Sequence, residues 1–121
     1  MGVDLKVDTD KIIITNKNKL KSTNVITLGY PGFPTDLQQI IASLMTQAEG
    51  ESKIEETLYE NRFLILYQIS KMGAKVKLEG NRAYIRGKTK LYGTEVSASD
   101  LRAGASLVLA ALIAEGKTII N

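Results

Sequence analysis

Asp36 closes the segment Tyr30-Pro31-Gly32-Phe33-Pro34-Thr35 and opens the apolar helical pattern Leu37, Ile40, Ile41, Leu44, Met45, Ala48. Each proline fixes its own φ and pushes the residue before it out of the helical region, so the backbone reaches Asp36 in few conformations. Thr35-Asp36-Leu37-Gln38 has the spacing of a capping box, with Thr35 accepting from the Gln38 amide and the Gln38 side chain reaching back. A carboxylate in that first turn is stabilised as the anion by about 0.3–1 kcal/mol. A well-made helix start would explain all of this. A second reading follows from how much rigid backbone is spent on one carboxylate, namely that Asp36 is aimed at something.

Two cations stand at comparable places. Arg102 follows Ser99-Asp100-Leu101 at the start of another helical pattern, against the positive end of the dipole. It either pairs with Asp100 and lies over a sheet, or joins the free amides of that helix start in facing a phosphate or carboxylate. Arg62 ends the cluster Glu60-Asn61-Arg62, directly after Thr57-Leu58-Tyr59, and reads as a charged first turn or as a second polar site. With no histidine and no cysteine, the soft donors of a transition-metal site are missing, and no metal or cofactor is expected.

The 121 residues are 44% hydrophobic and 24% charged, which fits one globular domain and argues against disorder. No window approaches a membrane span and the N-terminus lacks a signal-peptide pattern, so the expectation is a soluble, cytoplasmic protein. The net charge is +3, with Lys71, Lys75, Lys77, Arg82, Arg86, Lys88 and Lys90 set against Glu79. Stacking aromatics are not interleaved with these cations, so they read as a lysine-protected sheet edge and not as a nucleic-acid footprint.

Alternation predicts strands at Val3–Val7 and Lys11–Thr15 around an Asp8-Thr9-Asp10 turn, then a polar loop over 16–24 and a strand at Val25–Leu28. The helix from Asp36 should run to Glu49-Gly50, where glycine can take a left-handed cap. Ser52–Glu56 reads as a strand. A second helix is predicted from Arg62 to Lys71, with Phe63, Leu66, Ile69 and Met72 on one side and Gly73 as its stop. A third, from Leu101 to Ala114, is apolar nearly all round and should be buried on more than one side.

The order then repeats. Residues 73–78 echo 2–7, Asp100-Leu101 echoes Asp36-Leu37, Ala105-Ser106-Leu107 echoes Ala42-Ser43-Leu44, and Ala114-Glu115-Gly116 echoes Ala48-Glu49-Gly50. Each unit is hairpin, strand, capped helix, glycine, strand, and the changing offset marks insertions between matched pieces. The units cover roughly residues 1–56 and 72–121.

Pro31-Gly32-Phe33-Pro34-Thr35-Asp36-Leu37-Gln38, Glu56-Thr57-Leu58-Tyr59-Glu60-Asn61-Arg62-Phe63, Met72-Gly73-Ala74, Asp100-Leu101-Arg102-Ala103 and Ile113-Ala114-Glu115-Gly116 together resemble the UDP-N-acetylglucosamine 1-carboxyvinyltransferase family. The order and spacing match from about residue 25 to the end. The resemblance implies an α+β fold made of repeated βαβαββ-type units, the inside-out α/β barrel of enolpyruvyl transferases. About one and a half such units would be present, and residues 1–121 would form a single internal fragment of one domain. It implies transfer of the enolpyruvyl group from phosphoenolpyruvate to the 3-hydroxyl of UDP-N-acetylglucosamine, with release of phosphate, as the first committed step of peptidoglycan synthesis.

Residue by residue, Asp36 matches the carboxylate that contacts the sugar 3-hydroxyl and takes its proton. Leu58 matches a position whose backbone contacts the UDP-sugar, with Tyr59 flanking it, and Arg62 and Arg102 match arginines lining the cleft near the anionic substrates. Fixed cations around carboxylate and phosphate, and a base near the hydroxyl, suit this chemistry. A helix start keeps Asp36 ionised but weakly basic, so orienting the hydroxyl should come before proton removal.

In the family the proton donor, usually a cysteine, lies in another domain with a lysine and an arginine, and an Arg-Gly-Tyr-Glu segment should follow soon after Asn121. The expectation is therefore that the chain alone has no turnover and at most millimolar affinity for the UDP-sugar. Two other readings stay open: a fragment of the shikimate-pathway enolpyruvyl transferase, against which the Pro-Gly-Phe-Pro-Thr-Asp segment argues, and a non-catalytic scaffold with anion sites at its helix starts. Neither a nucleic-acid nor a membrane partner is expected.

Overall fold

The computed structural model describes residues 1, 3–15, 19–28, 32–34, 37–57 and 63–121. Along these the elements are β1 (Asp4–Val7), β2 (Ile12–Thr15), β3 (Asn24–Ile26), α1 (Gln38–Met45), β4 (Gly50–Glu55), α2 (Leu64–Lys71), β5 (Lys75–Glu79), β6 (Arg82–Gly87), β7 (Glu95–Val96), α3 (Leu101–Ile113) and β8 (Ile119–Ile120).

Local chemistry accounts for most of these boundaries. Asp8 turns the first hairpin, its side chain accepting from the Thr9 amide at 2.8 Å while its own amide donates to the Lys11 carbonyl at 2.8 Å. Gly73, at φ +107°, takes the left-handed position that stops α2, where the Gly73 amide donates to Ser70 and that of Ala74 to Ile69. α1 ends at Met45, short of the expected Glu49. There the Thr46 hydroxyl donates to the Ser43 carbonyl at 2.7 Å, and Gln47 and Ala48 bond three residues back, which tightens and ends the helix.

Three sheets result: β1 with β2 antiparallel, β3-β4-β6-β5, and β7 with β8 parallel. In the four-stranded sheet β4 is parallel to β3 and antiparallel to β6. β5 is its outer strand and carries Lys75 and Lys77 on the exposed edge, with Lys77 paired to Glu79 at 3.0 Å and Arg82 of β6 to Glu55 at 3.0 Å. Each carboxylate raises its partner's pKa above the ordinary value.

The backbone pairing of the first half recurs in the second. Lys21 donates to Met1 and Tyr92 to Met72; Ser22 donates to Glu49 and Gly93 to Glu115; Glu49 donates to Leu20 and Glu115 to Leu91. Further on, Thr27 donates to Glu55 and Ala98 to Asn121, while Lys53 donates to Thr23 and Ile119 to Thr94. Even the surface pair Lys19–Glu49 has its counterpart in Lys90–Glu115. Ahead of the helices these partners lie 71 positions apart, as Lys21 and Tyr92 do, and after them 66, as Glu49 and Glu115 do.

The core gathers Met45, Ile54, Ile65, Leu66, Ile69, Met72, Ile85, Leu91 and Leu107 between the helices and the four-stranded sheet. α1 and α3 meet through small residues, Ala42, Ser43, Ala103, Ser106 and Ala110, all buried. Across this contact Ser106 donates to the Gln39 carbonyl at 2.6 Å, and Ser43 donates to Ser106, 2.6 Å from its hydroxyl and 2.9 Å from its carbonyl. Every hydroxyl in this buried chain is satisfied, and so removing one strands the others. Ser106→Ala should cost about 1–3 kcal/mol in urea unfolding, and adding Ser43→Ala should cost much less than Ser43→Ala does alone. Additive single effects would show that the two hydroxyls do not act together.

α3 does not meet the expectation of burial on several sides. Its α1-facing residues are buried, but Leu101 is 90% and Leu112 76% exposed, because among the described residues only one side of the helix is covered. The β1–β2 hairpin is likewise bare, with Leu5, Val7, Ile12 and Ile14 each more than 60% exposed, so its alternation marks no buried face here. No helix among the described residues is long and apolar enough to cross a membrane, and no cluster of acidic side chains among them could hold a metal ion.

Candidate functional site

Of the five residues singled out from sequence, Asp36, Leu58, Tyr59 and Arg62 lie outside the described residues. Arg102 is described, half-buried in the first turn of α3. The residue capping that helix is Asp100, in extended conformation, whose carboxylate accepts from the Ala103 amide at 2.8 Å. An N-cap aspartate and a half-buried guanidinium therefore share one helix start. The carboxylate offsets part of the unfavourable placement of a cation at that end of the dipole.

The start of α1 differs from the expected capping box. The helix begins at Gln38, with Leu37 before it and no side-chain cap, and the Leu37 amide donates to the Pro34 carbonyl at 3.1 Å. Gln38 is fully buried with both of its side-chain polar atoms unpaired, so it does not reach back as a capping box requires. Burial beside the core has taken the side chain away from the helix end. The approach is nonetheless held: the Leu28 amide donates to Phe33 at 3.0 Å, and Thr27 bridges Phe33.

Two threonines carry the chain from the sheet toward Leu58. The Thr57 amide donates to the Thr27 hydroxyl at 2.9 Å, and the Thr57 hydroxyl donates to the Thr27 carbonyl. Beside them Glu56 is 4% exposed and, with Phe63, Gly80 and Asn81, lines a cavity of about 370 Å³. The Asn81 side chain donates to the Glu56 carbonyl at 3.3 Å and fixes this wall to the β5–β6 turn.

The Ser106 bond to Gln39 ties the two helix starts. Ser106 sits one turn after Arg102, and Gln39 is the second residue of α1, three positions after Asp36. Sequence reasoning passed over this connection, although a serine at matched positions of two apolar helices was its visible sign. Chemically, a helix start that carries a cation can face an anionic oxygen, although the capping carboxylate of Asp100 takes up the Ala103 amide there.

The fold built from these units is that of an enolpyruvyl transferase, and the chain spans part of such a domain. It belongs to the EPSP synthase (3-phosphoshikimate 1-carboxyvinyltransferase) family, whose sequence profile matches residues 1–121. The chain is 49% identical, over all of its 121 residues, to the UDP-N-acetylglucosamine 1-carboxyvinyltransferase 2 of Listeria monocytogenes serotype 4b (strain F2365), and covers 29% of that protein. It is 50% identical over 120 residues, 99% of the chain, to the UDP-N-acetylglucosamine 1-carboxyvinyltransferase of Koribacter versatilis (strain Ellin345), covering 28% of it.

Among solved structures, the enolpyruvyl transferase NikO from Streptomyces tendae superposes with a TM-score of 0.91 at 29% identity, over the whole chain and 28% of NikO. The EPSP synthase from Acinetobacter baumannii superposes at 0.70 with 16% identity, over the whole chain and 30% of that structure, a likeness of fold alone. The chain thus spans under a third of the length of the relatives it matches.

Proposed function

We propose that residues 1–121 form one wall of a UDP-N-acetylglucosamine 1-carboxyvinyltransferase, acting in the cytoplasm at the first committed step of peptidoglycan synthesis. The observation that carries this reading is identity near one half, over the entire chain, to proteins of that name. In this reading the enolpyruvyl group passes from phosphoenolpyruvate to the 3-hydroxyl of UDP-N-acetylglucosamine and phosphate leaves. Asp36 orients that hydroxyl and takes its proton, the Leu58 backbone holds the UDP-sugar with Tyr59 beside it, and Arg62 and Arg102 face the anionic groups. The place of Arg102 in the first turn of α3 supports the part given to it, since a cation at a helix start suits an anionic group. Residues 1–56 and 72–121 are, on this proposal, two copies of one unit within a single piece of domain, as the recurring backbone bonds suggest.

A titration followed by amide NMR tests the proposal on the chain itself. UDP-N-acetylglucosamine should move the amides of residues 100–104 with millimolar affinity, and Arg102→Gln should weaken the response severalfold. Equal shifts with shikimate 3-phosphate would favour the other enolpyruvyl transferase. A response to inorganic phosphate with none to the UDP-sugar would favour an anion-binding scaffold. The isolated chain should release no phosphate from the two substrates.

A further inference from the structure

α1 and its C-cap present two buried stripes. Gln38, Ala42 and Met45 recur at i, i+4 and i+7 and are each 0% exposed, and Gln39, Ser43 and Thr46 repeat the spacing one residue on and are buried too. Ala42 and Met45 belong to the core, so the pattern calls for an apolar side chain at position 38. On the second stripe the hydroxyls of Ser43 and Thr46 are bonded, to Ser106 and to the Ser43 carbonyl. Satisfaction ends at the front of the helix. Both polar atoms of the Gln38 carboxamide, and Oε1 of Gln39, have no hydrogen-bond partner among the described residues. A buried carboxamide with nothing to bond costs stability, and methionine would fill the same space without that cost.

The register of the two helices adds a second observation. Ala42-Ser43 of α1 match Ala105-Ser106 of α3, 63 positions on, and Ser43 bonds Ser106. By that count Leu37, the cap residue of α1, takes the place of Asp100, the cap residue of α3. The Asp100 carboxylate is engaged by the Ala103 amide, whereas α1 has no side-chain cap and Asp36 comes one residue ahead of the cap position. The first half therefore carries its acid outside the capping position and an unpaired carboxamide two residues later. We propose, resting on the reading of Asp36 given above, that Gln38 is a positioning residue: in the substrate complex its Nε2 donates to the Asp36 carboxylate and holds it toward the sugar hydroxyl.

A carboxamide suits that task better than a cation. An arginine or lysine beside the acid would hold it as firmly, but would stabilise its charge and weaken it as a base. The neutral amide adds no charge. It also serves the acid after the proton has moved, since Oε1 can accept from a carboxylic O–H where Nε2 had donated to a carboxylate. Side chains two positions apart within a helix face apart, but Asp36 precedes α1 and escapes that limit. Hydrogen bonds to catalytic groups tighten in the substrate complex, so an unpaired donor two residues from the base is a place where one can form. Full burial keeps bulk water from competing for either atom of the amide.

Gln38→Met tests this, with Gln38→Leu as a second variant should methionine pack badly. In circular-dichroism melts of the chain, at least one of the two should melt at or above the parent temperature, because no bond within the fold is lost. In an enzyme that carries this segment together with the remaining length of its relatives, the same variant should lower kcat about tenfold and change the KM for the UDP-sugar less than about threefold. In an Asp36→Asn background it should lower kcat by less than about twofold, since the charge it positions is gone. Equal fold-losses in the two backgrounds, or kcat at the parent level, would overturn the proposal. So would melting well below the parent in both variants, which would give the carboxamide a bond in the fold. An Asp36→Asn enzyme with undiminished kcat would remove the base and this inference together. A loss in Asp36→Asn beside full activity in Gln38→Met would remove this inference alone.

Discussion

Gly87→Ala should lower the thermal midpoint of this chain by roughly 10–20 °C, equivalent to about 3 kcal/mol. A β-carbon at this position would lie 2.8 Å from the Thr46 carbonyl oxygen and 2.9 Å from that of Met45, and closer still to that of Ala48. These atoms cannot easily retreat, because the Met45 oxygen accepts from Ala48 and the Thr46 oxygen from Thr89. Met45 and the neighbouring strand residue Ile85 are fully buried, so the strain has no soft surface to spread into. Gly104→Ala serves as the contrast. Its nearest neighbour would be the Ala98 β-carbon at an ordinary 3.7 Å, and alanine in a helix interior should stabilise by about 0.5–1 kcal/mol. Circular-dichroism melts of both variants decide the matter: a Gly87→Ala midpoint within about two degrees of the parent would show that the α1 end gives way freely.

Asp36→Asn, made in an enzyme that carries this segment together with the remaining length of its relatives, should lower kcat by about 10²-fold or more and change the KM for the UDP-sugar far less. Asparagine keeps the size and one hydrogen-bonding oxygen, so the sugar hydroxyl can still be oriented. On the proposed role, what it loses is the negative charge that would take up the proton. If orientation alone mattered, kcat would fall only a few-fold, and an unchanged kcat would remove Asp36 from the reaction. Steady-state phosphate release at saturating phosphoenolpyruvate separates these outcomes.

Elements set by neighbours in sequence were legible from sequence. The turn at Asp8, the stop at Gly73 and the strand order within each half follow from residue chemistry alone. Contacts between the halves were not. Nothing local says that β6 will lie beside β4, because that outcome depends on residues far along the chain. The capping box failed for a related reason: Thr35-Asp36-Leu37-Gln38 has the right spacing, but Gln38 is drawn into the core, and core packing outweighs a cap of about 1 kcal/mol. At the candidate site, Arg102 was visible as a cation at the wrong end of a dipole. The Ser43–Ser106 link beneath it was not, since serine in an apolar helix announces polarity but not its partner.

The two halves differ most in one place. Residues 27–37 join β3 to α1, whereas only 97–100 join β7 to α3. The backbone bonds around these joints are matched in the two halves, so the longer joint leaves the paired skeleton unchanged. It contains Tyr30 to Asp36. A segment inserted between a strand and a helix leaves the bonds of both undisturbed. The longer joint therefore marks where side chains can change with little cost to the surrounding fold.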